Sequence, residues 1–144
     1  MFKIWSYNAE SLIQVDRLRE ILRLAGAEGV AICCLQSTLM SAERPWTCEG
    51  YRVIPAPRSS PTARDGCLTA VSLKYFAMCE LRCVHQWLAG RLLGIRLRRP
   101  GPRPRDMYIL NGYAYTNQFG YHVAAEADAN ALREAHYKSQ DLFW

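Results

Sequence analysis

The sequence predicts an α/β fold, and three observations carry the expectation. An aromatic-rich extended segment runs into an amphipathic helical repeat, a nearly continuous apolar run follows, and the middle of the chain is built of short strands with short connections. At 144 residues the chain has the size of a single domain, so residues 1–144 are read as one domain with one core.

The elements follow in order. Phe2 to Tyr7 reads as a strand with Phe2, Ile4 and Ser6 on one face, and Asn8-Ala9-Glu10-Ser11 reads as a helix start. From Glu10 to Ala25 the apolar positions Leu12, Val15, Leu18, Ile21, Leu22 and Ala25 fall at helical spacing, and Gly26 and Gly29 stop the pattern. Val30 to Leu35 is apolar throughout, the pattern of a strand buried on both faces, so residues 2–35 read as a βαβ unit. Ser41 to Pro61, with three prolines, reads as a long surface excursion around one short strand, Tyr51 to Ile54. Strands at Cys67 to Leu73, Cys79 to Gln86 and Arg91 to Leu97 are expected to form one antiparallel meander. A basic hairpin, Arg98 to Arg105, leads to a last strand, Met107 to Tyr113, and Ala124 to Leu142 has the composition of a helix.

Half of the residues are hydrophobic and 22% are charged, which excludes a disordered or collagen-like chain. The net charge of +5 favours polyanionic partners, DNA or RNA among them, and Arg98, Arg99, Arg103 and Arg105 are the candidate contacts to a phosphate backbone. Pro-rich charged hairpin tips are also commonly just solvated. No segment has the form of a secretory signal or is apolar enough to span a bilayer, and the six cysteines read as reduced thiols; an intracellular, cytoplasmic or nuclear, setting is expected.

Five short motifs stand in order between residues 3 and 117. They are Ser6-Tyr7-Asn8-Ala9-Glu10, Leu35-Gln36-Ser37-Thr38, Asp65-Gly66-Cys67-Leu68-Thr69, Ala89-Gly90-Arg91-Leu92-Leu93 and Asn111-Gly112-Tyr113-Ala114-Tyr115-Thr116-Asn117. Together they resemble the N-terminal portion of the endonuclease/exonuclease/phosphatase superfamily, in the style of non-LTR retroelement endonuclease domains. The resemblance implies part of a four-layer α/β sandwich. For this length it implies one mixed, mostly antiparallel sheet flanked by helices, with one inner face lacking its mate, and hence a homodimer or a missing C-terminal half as partner.

The resemblance also implies a Mg²⁺-dependent phosphodiester hydrolase whose metal site includes Asn8 and Glu10, with Gln36 and Asn111 beside it and Tyr113 as a phosphate contact. Two departures bear on this. Ser37 stands where the family places a metal-binding Glu, a weak neutral replacement, and Tyr115 stands where it has Pro. The family's later catalytic motifs are absent, so Mg²⁺ binding is expected to be weak or lost and the domain truncated and catalytically incomplete. Read without the resemblance, Glu10 complements a helix dipole, Asn8 caps a helix and Tyr113 packs in a sheet. A non-catalytic nucleic-acid-binding or protein-interaction module is the alternative from another class.

Overall fold

The computed structural model describes residues 2–113. The helix expected over 124–142, together with Tyr115, Asn117, His122 and His136, lies outside them. The described elements are β1 (Lys3–Asn8), α1 (Val15–Ala27), β2 (Val30–Gln36), β3 (Trp46–Cys48), β4 (Tyr51–Ala56), β5 (Cys67–Ser72), α2 (Leu73–Phe76), β6 (Glu80–Leu88), β7 (Leu92–Arg99) and β8 (Arg105–Gly112).

The α/β sandwich class is as expected. A five-stranded mixed sheet has the order β1-β2-β5-β4-β3, with β1 and β2 parallel and the other pairs antiparallel. On one face lies α1, whose Leu18, Leu22 and Ala25 are fully buried against Cys33, Leu35, Val53, Leu68 and Ala70. Burying each leucine contributes about 1.5–3 kcal/mol, which is what the three- and four-residue spacing of the helix secures. Gly29, at φ 70°, ends the helical stretch by taking a conformation that side chains disfavour.

The other face corrects one expectation. It is not left bare: β6, β7 and β8 form a separate antiparallel sheet, and its Leu93, Ile95, Leu97 and Ile109 pack against Ile32, Cys34, Ile54, Cys67 and Val71. The expected meander of three strands is thereby divided, because β5 joins the first sheet. The reason is burial. All six residues of β5 are buried, so it needs cover on both faces, whereas β6 alternates between more and less exposed positions and has one face to bury.

Three smaller corrections follow. The excursion after β2 carries a hairpin, β3 with β4, in place of one strand, turning at Glu49 and Gly50, whose φ of 50° and 78° suit a tight primed turn. A four-residue helix, α2, follows β5. The first helix begins at Val15, five residues after Glu10, because the intervening chain is held to β2 and the loop beyond it: Ala9 N–H donates to Gln36 O at 2.9 Å and Leu12 N–H to Thr38 O at 2.8 Å. No helix among the described residues is long and apolar enough to cross a membrane.

Candidate active site at the strand ends

The parallel strands β1 and β2 end side by side, Asn8 opposite Gln36, and the antiparallel neighbours continue the row, Gln36 opposite Cys67 and Cys67 opposite Ala56. Loops leaving this row form the rim, the place where open α/β sheets present their ligand sites. They are stitched together by backbone bonds: Thr38 N–H to Gly66 O at 3.1 Å, Leu39 N–H to Asp65 O at 3.0 Å, Gly66 N–H to Gly90 O at 2.8 Å and Tyr113 N–H to Arg91 O at 2.8 Å. Glu10, Ser37 and Leu39 sit at φ of 58°, 56° and 55° in these loops. A left-handed non-glycine residue costs about 1–2 kcal/mol, so the surrounding bonds are holding a strained rim in place.

Gln36 and Asn111 join the two sheets beneath that rim. Gln36 Nε2 donates to Asn111 Oδ1 at 2.9 Å, and also lies 3.0 Å from Cys34 O and 3.2 Å from Ser6 Oγ. Asn111 Nδ2 donates to Leu68 O at 2.9 Å, with Leu35 O and Thr69 Oγ1 each 3.3 Å away. Asn111 is 1% exposed and Gln36 8%, so these two amides, expected beside the metal and phosphate, are spent on one another and on the backbone. Inside a low-dielectric core such a network is strong when complete and costly when broken.

Asn8 and Glu10 are both exposed at the rim. Asn8 Oδ1 accepts the Glu10 N–H at 3.2 Å, a local turn; neither residue caps α1, and Glu10 is outside its first turn, which corrects the helix-cap and helix-dipole readings. Ser37 Oγ donates to Arg64 O at 3.2 Å and ties down the neighbouring loop. Mg²⁺ takes oxygen ligands in a near-ideal octahedron and favours carboxylates. Glu10 is the exposed carboxylate these motifs bring to the rim, Asp65 being buried and taken by Ser59 and Arg91; the Asn8 amide oxygen already accepts a bond, and no group of three or more His, Cys, Asp or Glu among the described residues is placed to hold a metal ion. This donor set does not fit a tightly held Mg²⁺.

Tyr113 is half-buried and packs on the inter-sheet core, with the Arg91 guanidinium 5.0 Å from its ring centre. Behind Arg91 stands Asp65, which sequence reasoning did not single out as a site residue. It is 3% exposed, accepts bonds from Ser59 N–H at 2.8 Å and Ser59 Oγ at 2.6 Å, and pairs with Arg91 Nε at 3.7 Å. Gly90 passes so close that a β-carbon there would meet Asp65 Oδ1 at 2.7 Å. The signal was the Asp65-Gly66 pair at the mouth of a strand; only the fold brings Gly90 and Arg91 to it.

Burial keeps the thiols of Cys33, within β2, and Cys67, at the start of β5, in their neutral form. Burial, reinforced by Cys34, pushes Cys33 up to about 12, and burial with the Asp65 charge pushes Cys67 up to about 12.

The structure does not bring the basic hairpin to this site. β8 starts at Arg105 and ends at Gly112 beside Asn111, so Arg98, Arg99, Arg103 and Arg105 lie at the opposite end of the sandwich, about 23 Å away along the strand.

No protein-family model and no curated protein matches the chain. Among solved structures, an AP endonuclease from Leishmania major superposes with a TM-score of 0.72 at 17% identity, covering 92% of this chain and 47% of that one. The chain shares that protein's fold. That neighbour has the endonuclease/exonuclease/phosphatase fold, and the present chain spans about half of its length.

Proposed function

We propose that the chain is one half of a phosphodiester-hydrolase-type domain, of the retroelement endonuclease style that its motifs resemble. In this reading Asn8, Glu10 and Tyr113 line the former phosphate and metal rim, and the described half lacks a complete hydrolytic apparatus. The observation that supports it best is the Gln36–Asn111 bond, which draws the ends of β2 and β8 together beside Asn8 in a fold shared with an AP endonuclease. Two roles are assigned: Gln36, Asn111 and Asp65 build the rim, and Glu10, Asn8 and Tyr113 face the ligand. Mg²⁺ affinity is weak, because Ser37 contributes a hydroxyl turned toward Arg64 O where the family has a carboxylate.

The test is nicking of supercoiled plasmid and cleavage of a duplex carrying an abasic site, with Mg²⁺ or Mn²⁺, for the chain, its Glu10→Ala variant and an EDTA control. The expected result is binding of the abasic duplex without cleavage above the EDTA control. Metal-dependent cleavage that disappears in Glu10→Ala would make this half a working nuclease and overturn the incompleteness.

A second reading, partner assembly, is favoured by the outer edges of β1 and β8, which pair with no further strand among the described residues, and by Phe2, Ile4, Tyr7, Leu24 and Leu110, which are 50–61% exposed. Such an apolar margin fits a homodimer or the other half of the domain. Sedimentation across concentration separates these: a homodimer shows a concentration-dependent mass, and the other half does not.

A further inference from the structure

The hairpin end of the sandwich holds a groove of 420 Å³ between the start of β1, α2, the end of β7 and the start of β8. That volume falls in the range of small-ligand sites, about 300–1,000 Å³. Its lining includes the buried Leu97 and half-buried Met107, the rings of Phe2 and Tyr75, and the exposed Arg99 and Arg105. The two rings meet edge to face at 5.8 Å, yet Phe2 is 51% and Tyr75 41% exposed. Both arginines are exposed, and Lys74 sits 5.6 Å from the Tyr75 ring centre. Among the described residues that line the groove the one acid is Asp106, which is engaged by Arg96 at 2.6 Å, and that guanidinium holds its carboxyl below the usual range. Solvation explains arginines on a hairpin tip. It does not explain two open aromatic rings beside them.

We propose that this groove is a binding site for single-stranded nucleic acid, with bases stacking on Tyr75 and Phe2 and backbone phosphates held by Arg99 and Arg105. Rings exposed next to guanidinium groups match the two things a single strand offers, a flat π-face and a phosphate one step along. A duplex hides its base faces and engages only the cations. The site is separate from the strand-end rim and does not depend on the reading of that rim as a former hydrolase site.

The test is a fluorescence-anisotropy titration of the whole chain with a labelled dT oligomer about 12 nucleotides long, against a backbone of the same length made of abasic units. The dT oligomer binds at least about tenfold more tightly, Tyr75→Leu reduces that preference and Tyr75→Leu with Phe2→Leu removes it, abasic binding staying in place, since stacking contributes about 1–3 kcal/mol per base. Arg99→Ala with Arg105→Ala lowers the salt dependence of log K by about 1.4, two phosphates at about 0.7 each. Arg19→Ala with Arg23→Ala on α1 carries the same charge change and leaves both properties in place. Thermal melting checks that each variant is folded, and the comparison of dT with abasic backbone needs no variant at all. Equal binding of the two oligomers, equal losses from the α1 and groove arginine pairs, or equal displacement by poly-glutamate would overturn the proposal, the last marking an acidic-peptide groove.

Discussion

Replacing Asn111 by Ala removes the amide through which β8 holds β2 and β5. The side chain accepts one bond from Gln36 at 2.9 Å, donates one to Leu68 O at 2.9 Å, and approaches Leu35 O and Thr69 Oγ1 at 3.3 Å. Each net hydrogen bond is worth about 1 kcal/mol, and each polar group left buried and unpaired costs about 1–3 kcal/mol. The two short bonds therefore set a loss of about 3 kcal/mol for Asn111→Ala. Gln36→Ala costs less, about 2 kcal/mol, because Asn111 Oδ1 is its one acceptor outside the first sheet. The double variant falls short of the sum by about 1 kcal/mol, since both single changes break the same bond. Urea unfolding followed by tryptophan fluorescence reads all three, with an unchanged m-value as the sign of two-state behaviour. A loss below about 1 kcal/mol for Asn111→Ala, or strict additivity with Gln36→Ala, would refute the assignment of these residues as struts and return them to the ligand site.

Two further predictions concern the rim and the core thiols. Gly90→Ala should cost about 2–4 kcal/mol, because φ of 68° is disfavoured and the new β-carbon meets Asp65 Oδ1 at 2.7 Å, whereas Gly50→Ala, at φ 78° with nothing within 4 Å, should cost about 1–2 kcal/mol; equal losses in urea unfolding would mean that Asp65 yields freely. Cys33 and Cys67 are raised from 9.0 to about 12, so their neutral forms contribute stability that is fully present below pH 9 and is lost as pH rises toward 12. Tyr51, raised from 10.0 to about 12 by burial, adds to the same alkaline loss. The melting temperature should fall steadily above about pH 9, and a flat profile to pH 11 would contradict the burial argument.

Much of the first sheet was legible. The run Val30 to Leu35 is apolar at every position, and β2 is buried along its whole length; the spacing of Leu18, Leu22 and Ala25 marked the helix face that covers it. The ordered motifs pointed to the fold that the Leishmania AP endonuclease shares. Of the rim, Asn8 and Glu10 were found at a strand end as expected, and Tyr113 follows β8 in register with Ile109 and Asn111.

What the sequence by itself determined about this protein is local: which segments are strands or helix, which faces are apolar, and where Gly and Asn permit a turn. These follow from periodicity and side-chain sterics within a few residues of one another. Tertiary structure alone decided which strand pairs with which, and so divided the expected meander between two sheets and covered the inner face. It joined Gln36 and Asn111, separated by 75 residues and expected beside the metal site, into a buried strut, and it set Asp65 against Gly90 and Arg91. It also placed the arginine hairpin beside Phe2 and Tyr75, at the end of the sandwich opposite Glu10. The physical reason is that alternation records how much of a strand is buried and not what buries it; the partner is chosen by packing between residues far apart in the chain.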